Sequence, residues 1–228
     1  MSMFCYQCQE AAKGHGCEIR GVCGKTDEVA KLQDLLIYAL KGLAEVVVKE
    51  KPLRKALDKA NRQLVHSLFM TITNANFDPD AIAVQVQKII ALREGLRKPT
   101  TTQILHEAAS FHADTREDML RKAGSVGVLA TENEDVRSLR ELVTYGLKGM
   151  AAYTEHALNL GMEDPEIYAF MYEALSATLD DSLTVDQLVG LTLKTGEFGV
   201  KAMALLDAAN TGRYGNREIT TVNIGVRK

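Results

Sequence analysis

After Cys23 the chain contains no cysteine, so no disulfide can brace the bulk of its 228 residues. No apolar run approaches the ~18–20 residues that a membrane-spanning helix needs. There is no basic stripe to follow nucleic acid and no acidic tail to meet a basic partner, and the net charge is only −3. The start, MSMFCYQCQ, lacks the basic region and apolar stretch of a signal peptide, which makes the cytoplasm the expected compartment. No phosphate-binding loop, dinucleotide glycine fingerprint or nucleophile constellation is found. Strand signals are scarce.

Helical periodicity, by contrast, is strong. Apolar residues make up 46% of the chain and charged residues 25%, the balance of a globular protein with a real core. Val29, Leu32, Leu35, Leu36, Ala39, Leu40 and Leu43 share one helical stripe. A second helix is expected through Leu53 to Ile72. Asp78-Pro79 and Asp164-Pro165 each read as an N-cap followed by a first-turn proline. Gly161 is the expected end of a helix that starts at Asp135. Thr184 with Gln187 resembles a capping box, opening a last long helix that ends near Asn210.

The chain also repeats itself. VAKLQDLLIYALKGLA, from Val29, matches VRSLRELVTYGLKGMA, from Val136, at a shift of 107 positions. Leu32, Leu35, Tyr38, Leu40, Lys41, Gly42 and Ala44 meet Leu139, Leu142, Tyr145, Leu147, Lys148, Gly149 and Ala151. The expected fold is therefore all-α, with two tandem three-helix bundles over residues 27–97 and 133–212. An irregular cysteine segment, 1–26, precedes them, and a connector with short helices, 98–132, joins them. The twice-seen Leu-Lys-Gly is expected to serve close helix packing rather than binding, since it lies in a core stripe. The tail, 213–228, has strand composition over Ile219 to Val226, which would leave a lone strand in need of a partner.

Cys5, Cys8, Cys17 and Cys23 are the feature that carries chemistry. Two disulfides among them would close only short loops at one end. In a reducing compartment, thiols gathered this tightly are more useful as metal ligands. The Cys-x2-Cys pair can converge on a metal from one tight turn, and Gly14, Gly16, Gly21 and Gly24 let the later pair fold back. Four thiolates suit an iron–sulfur cluster or a tetrahedral zinc, and spacing leaves both open. Phe4 and Tyr6 stand ready to shield one side. His15 lies inside the loop but is read as a bystander, because four sulfurs already suffice. His66, His106, His112 and His156 form no spaced pair. Met150, Met171 and Met203 are read as core filling. Glu132, Glu134, Asp135, Asp180 and Asp181 sit beside helix starts, where carboxylates favour the dipole.

Longer motifs then bring a family into view. They are Phe4-Cys5-Tyr6-Gln7-Cys8-Gln9-Glu10, Gly16-Cys17, Gly21-Val22-Cys23-Gly24-Lys25, the run Thr71 to Phe77, the run Val126 to Arg140, Tyr214-Gly215-Asn216 and Thr221 to Val226. Across essentially its whole length the chain resembles the N-terminal part of the hybrid-cluster protein family, also called hydroxylamine reductase or prismane protein. The resemblance implies that Cys5, Cys8, Cys17 and Cys23 hold a [4Fe–4S] cluster. It implies a helical first domain of two three-helix bundles, followed by two α/β domains with a second, hybrid iron–sulfur–oxygen cluster. There hydroxylamine, and in some members nitric oxide, is reduced. The ligands of that second cluster would lie beyond this sequence, so no catalytic residue is assigned here. The expected partners are a redox donor protein and the α/β domains, as further chain or as a separate subunit. The rival expectation is a structural zinc site on a helical interaction module.

Overall fold

The computed structural model describes residues 2–98, 105–222 and Gly225. Among them the elements are helical: α1 Asp27–Glu50, α2 Arg54–Met70, α3 Pro79–Leu96, α4 Arg116–Ala123, α5 Glu134–Asn159, α6 Pro165–Ala177 and α7 Val185–Tyr214, with short 3-10 turns at Ala12–Gly14, Glu107–Ala109 and Val128–Ala130. No helix among the described residues is long and apolar enough to cross a membrane.

Local chemistry sets the helix starts. The Thr26 side chain accepts from the Val29 amide at the head of α1, while Asp27 and Glu28 place negative charge in its first turn. Asp78 and Asp164 cap α3 and α6, each followed by proline, as their sequences predict. Thr184 and Gln187 cap α7 reciprocally, but that helix runs on to Tyr214, past Asn210. At the end of α5, Gly161 turns left-handed at φ 84°. Its amide donates to Leu158 O and the Met162 amide donates to Ala157 O, the paired bonds of a Schellman motif.

The helical class expected from the sequence holds, but the packing partners differ from a tandem arrangement. α1 packs chiefly on α3 and α6, and α5 chiefly on α7 and α2. The middle helix of each triplet thus lies mainly against the first helix of the other. Lys51, left-handed at φ 46°, ends α1, and Gly161, at φ 84°, follows α5, so the chain leaves the first helix of each triplet abruptly. The result is one continuous core that runs from Leu32 and Leu64 to Val143 and Phe170. Burial of apolar surface at roughly 25 cal/mol per Å² stabilises both triplets together. α1 is its axis, buried on almost every side rather than on one stripe. Of the methionines expected in the core, Met150 and Met171 are there, whereas Met203 is half exposed on α7. The tail expectation falls partly outside the described residues, at Asn223, Ile224 and Val226; Ile219 and Val222 are exposed and form no described strand pairing.

The two Leu-Lys-Gly copies part company here. A Cβ at Gly42 would collide with the Ala108 carbonyl, so this glycine admits the 3-10 turn that Arg93 also holds through Ala108 O at 2.8 Å and Phe111 O at 2.7 Å. Around Gly149 a Cβ meets nothing within 4 Å. Gly42→Ala is expected to cost about 1–3 kcal/mol in urea denaturation through overpacking. Gly149→Ala is expected to gain up to about 1 kcal/mol from helix propensity. Equal effects at the two sites would contradict this packing.

Candidate metal centre and the charged cavity behind it

The cysteine loop is fastened at its middle. Cys5 and Cys17 face each other across an antiparallel bridge, with Cys5 N donating to Cys17 O at 3.1 Å and Cys17 N to Cys5 O at 2.8 Å. Ser2 and Met3 amides both reach Glu18 O. Met3 and Cys17 pack on Ala30, which docks the loop against α1. Gly16 leaves room for the Phe4 ring, and Gly24, at φ 92°, turns the chain after Cys23. Phe4 and Tyr6 stack with ring centres 6.0 Å apart.

All four thiols are free. Cys17 is buried, Cys5 and Cys8 are partly shielded, and Cys23 is exposed. The loop aims positive groups at sulfur. The Ala12 amide donates to Cys17 Sγ at 3.4 Å, and the Lys25 ammonium lies 3.8 Å from Cys5 Sγ. Four sulfurs with N–H donors beside two of them fit a soft metal or a cluster. The cage itself is not drawn closed: among the described residues no three Cys, His, Asp or Glu side chains stand together as a metal site. His15 pairs instead with Glu18 at 3.9 Å. Three other histidines make unrelated contacts: His66 lies beside Glu155, His106 caps its own turn and His156 packs on Phe69.

Lys25 is 1% exposed and donates to Gln33 Oε1 at 2.7 Å, while Gln33 Nε2 donates to Asn76 O at 3.2 Å. This chain of bonds ties the cysteine loop through α1 to the α2–α3 turn.

Behind Cys5 lies a cavity of about 40 Å³, room for a water or two. Asp34 and Lys41 reach it from α1, Glu141 and Lys148 from α5, and Tyr6 and Lys25 from the loop. At the 107-residue shift, Asp34 corresponds to Glu141 and Lys41 to Lys148. Each helix thus presents a carboxylate and, two turns later, an ammonium. Glu141 Oε2 accepts from the Tyr6 hydroxyl at 3.1 Å, and Lys148 donates to Thr71 O at 3.4 Å. Burial is the largest influence on these groups. It pushes the Asp34 carboxyl up to about 7 against the pull of Lys148. It presses Lys148 down to about 8 against Asp34, and it lowers Lys41. Burial, then Glu141, holds the Tyr6 phenol above the usual tyrosine range.

Sequence reasoning identified the thiols and missed this quartet and Lys25. The signal was present: a carboxylate and a lysine recur seven residues apart within both copies of an apolar stripe.

The Prismane/CO dehydrogenase family model matches residues 3–228. The chain is 63% identical over 228 residues to a hydroxylamine reductase of Acetivibrio thermocellus, covering all of this chain and 42% of that protein. It is 55% identical over 233 residues to a hydroxylamine reductase of Desulfitobacterium hafniense, again covering all of this chain and 42% of the relative. With one from Clostridium botulinum strain Kyoto the identity is 52% over 256 residues, covering all of this chain and 45% of the relative. The chain therefore spans less than half the length of these curated relatives.

Gln33→Leu is expected to destabilise the protein by about 1.5–3 kcal/mol, because it strips a buried ammonium of its acceptor. Adding Lys25→Met should recover the part of that loss due to the stranded ammonium, leaving the broken Gln33–Asn76 bond. Urea denaturation of the single and double variants measures this; an undiminished loss in the double variant would contradict the coupling.

Proposed function

The chain belongs to the Prismane/CO dehydrogenase family, and from that premise we propose that it is the iron–sulfur electron-transfer portion of a hydroxylamine-reductase-type protein. Cys5, Cys8, Cys17 and Cys23 hold a [4Fe–4S] cluster in this reading. The observation that carries it is the set of four free thiols in one short loop, with a buried ammonium beside Cys5 and a backbone amide on Cys17. A bound cluster supplies one-electron chemistry.

The protein's own residues do the rest. The Cys5–Cys17 bridge fixes two ligands on one backbone frame. Phe4 and Tyr6 cover one flank, and Lys25 sets positive charge against Cys5. Fixed positive charge near a site that gains an electron favours the reduced state. The partly shielded loop leaves Cys23 at the surface, where a redox donor protein can approach.

The curated relatives extend well beyond the length matched here, and that extra length is where we place the α/β domains with the hybrid cluster. There hydroxylamine would take two electrons and two protons, its N–O bond breaking to give ammonia and water. No catalytic residue is assigned to the present chain, and the proposed compartment is the cytoplasm.

Replacing Cys17 by Ser tests the ligand assignment. The variant is expected to lose most of its bound iron while keeping most of its helical circular dichroism, since the helices have their own core. A parent protein with one zinc and no iron, or a variant with unchanged iron, would overturn this reading.

A further inference from the structure

We propose that the Asp34–Lys41–Glu141–Lys148 quartet takes up a proton from solvent when the cysteine loop's cluster gains an electron, so that electron entry is charge-compensated inside the protein. This rests on the cluster assignment above and goes beyond it by giving a role to the cavity behind Cys5.

Three observations converge on the quartet. The first is placement. All four side chains line the same small cavity as Cys5, yet the described hydrogen bond to the Cys5 sulfur comes from Lys25 and not from the quartet. The quartet is thus close enough to feel a change of charge without serving as a ligand. In a poorly solvated site, one added negative charge acts strongly on a neighbouring carboxylate.

The second is access. A larger cavity, of about 670 Å³, lies on the other side and has His106, Glu107 and Lys122 among its walls. Lys41 and Glu141 line both cavities. Asp34 also lines a third, open cavity of about 250 Å³ with Ser2, Met3 and Lys31, so it has its own path to water beside the one past Lys41 and Glu141. Glu107 and Lys122 form an ion pair at this outer cavity, and Tyr38 OH lies 3.5 Å from the Glu107 carboxylate.

The third is poise. Asp34 is faced by Lys41 on its own helix, by Glu141 and Lys148 on α5, and by Tyr6 and Lys25 on the loop; Arg140 acts on Lys41 from behind. Two carboxylates set among three ammonium groups leave a small positive excess that pulls Asp34 down, and burial outweighs it to hold Asp34 above the ordinary carboxylate range. A group so placed can accept a proton near neutral pH. The step balances: one electron arrives from a one-electron donor, one proton leaves solvent for an oxygen of the Asp34 carboxylate, and the net charge of the site is unchanged.

The test is a potentiometric titration of the anaerobically purified protein with dithionite as reductant, repeated from about pH 6 to about pH 9. The midpoint is expected to fall with rising pH through neutrality, approaching ~59 mV per tenfold change in proton concentration, one proton for one electron. Reduced-minus-oxidised infrared spectra should show a protonated carboxylic C=O band on reduction that moves in heavy water. Asp34→Asn should flatten the slope and remove the band while leaving bound iron unchanged. If that variant does not fold, Asp34→Glu, which keeps a carboxyl acceptor, should retain the pH slope and shift the carboxylic band; a band unmoved by that change would overturn the assignment to Asp34. A pH-independent midpoint in iron-loaded parent protein overturns the proposal and leaves the cluster assignment standing. Absence of iron overturns both.

Discussion

A single buried ammonium organises the region that matters. Lys25 is enclosed where the cysteine loop meets α1, and taking a charge out of water costs several kcal/mol unless partners offset it. The available partners are Gln33, the Cys5 sulfur and the carboxylates of the cavity. Meeting that demand helps to fix where the loop lies, because Cys5 on the loop and Gln33 on α1 meet at the same cation. Gln33 then reaches Asn76, so the turn before α3 is held by the same requirement. The loop is too small to bury a large core of its own: Met3 and Cys17 pack on Ala30, with Cys5 and Ala12 partly buried beside them. Polar satisfaction therefore sets its seat more than apolar burial does.

The exchanged middle helices give this arrangement its frame. Because α6 lies against α1 and α2 against α5, the two halves share one core and cannot slide independently. Cross-links of other kinds reinforce it: Ser176 on α6 donates to Glu45 on α1 at 2.6 Å, and Lys148 on α5 donates to Thr71 at the end of α2. α1 and α5 themselves are not among the closely packed helix pairs. The space between them is left to charged side chains and the cavity. An internal repeat thereby becomes functional geometry, since equivalent residues of the two copies meet across that space.

Much of this was legible in the sequence. Asp78-Pro79, Asp164-Pro165 and the Thr184–Gln187 pair mark their helix starts because capping is decided by a few adjacent atoms. The four cysteines were legible because no other residue type supplies thiolates. The helix grouping was not, because an amphipathic stripe says that a face is buried but not against which neighbour. Lys51, a lysine in left-handed conformation, gives no compositional warning that the chain turns away from α1. From sequence, Leu-Lys-Gly reads as a packing motif as a whole. The structure separates the motif's parts: glycine serves packing at Gly42 only, while Lys41 and Lys148 both line the charged cavity.

The account's central claim is that the cysteine loop carries a redox-active cluster on a helical frame. An absorption spectrum of anaerobically purified protein, taken before and after dithionite with iron, sulfide and zinc assayed on the same sample, tests it most directly. The account predicts a broad band near about 400 nm that bleaches on reduction, with about four iron per chain. A colourless sample with one zinc, or a coloured one that dithionite leaves unchanged, would contradict it.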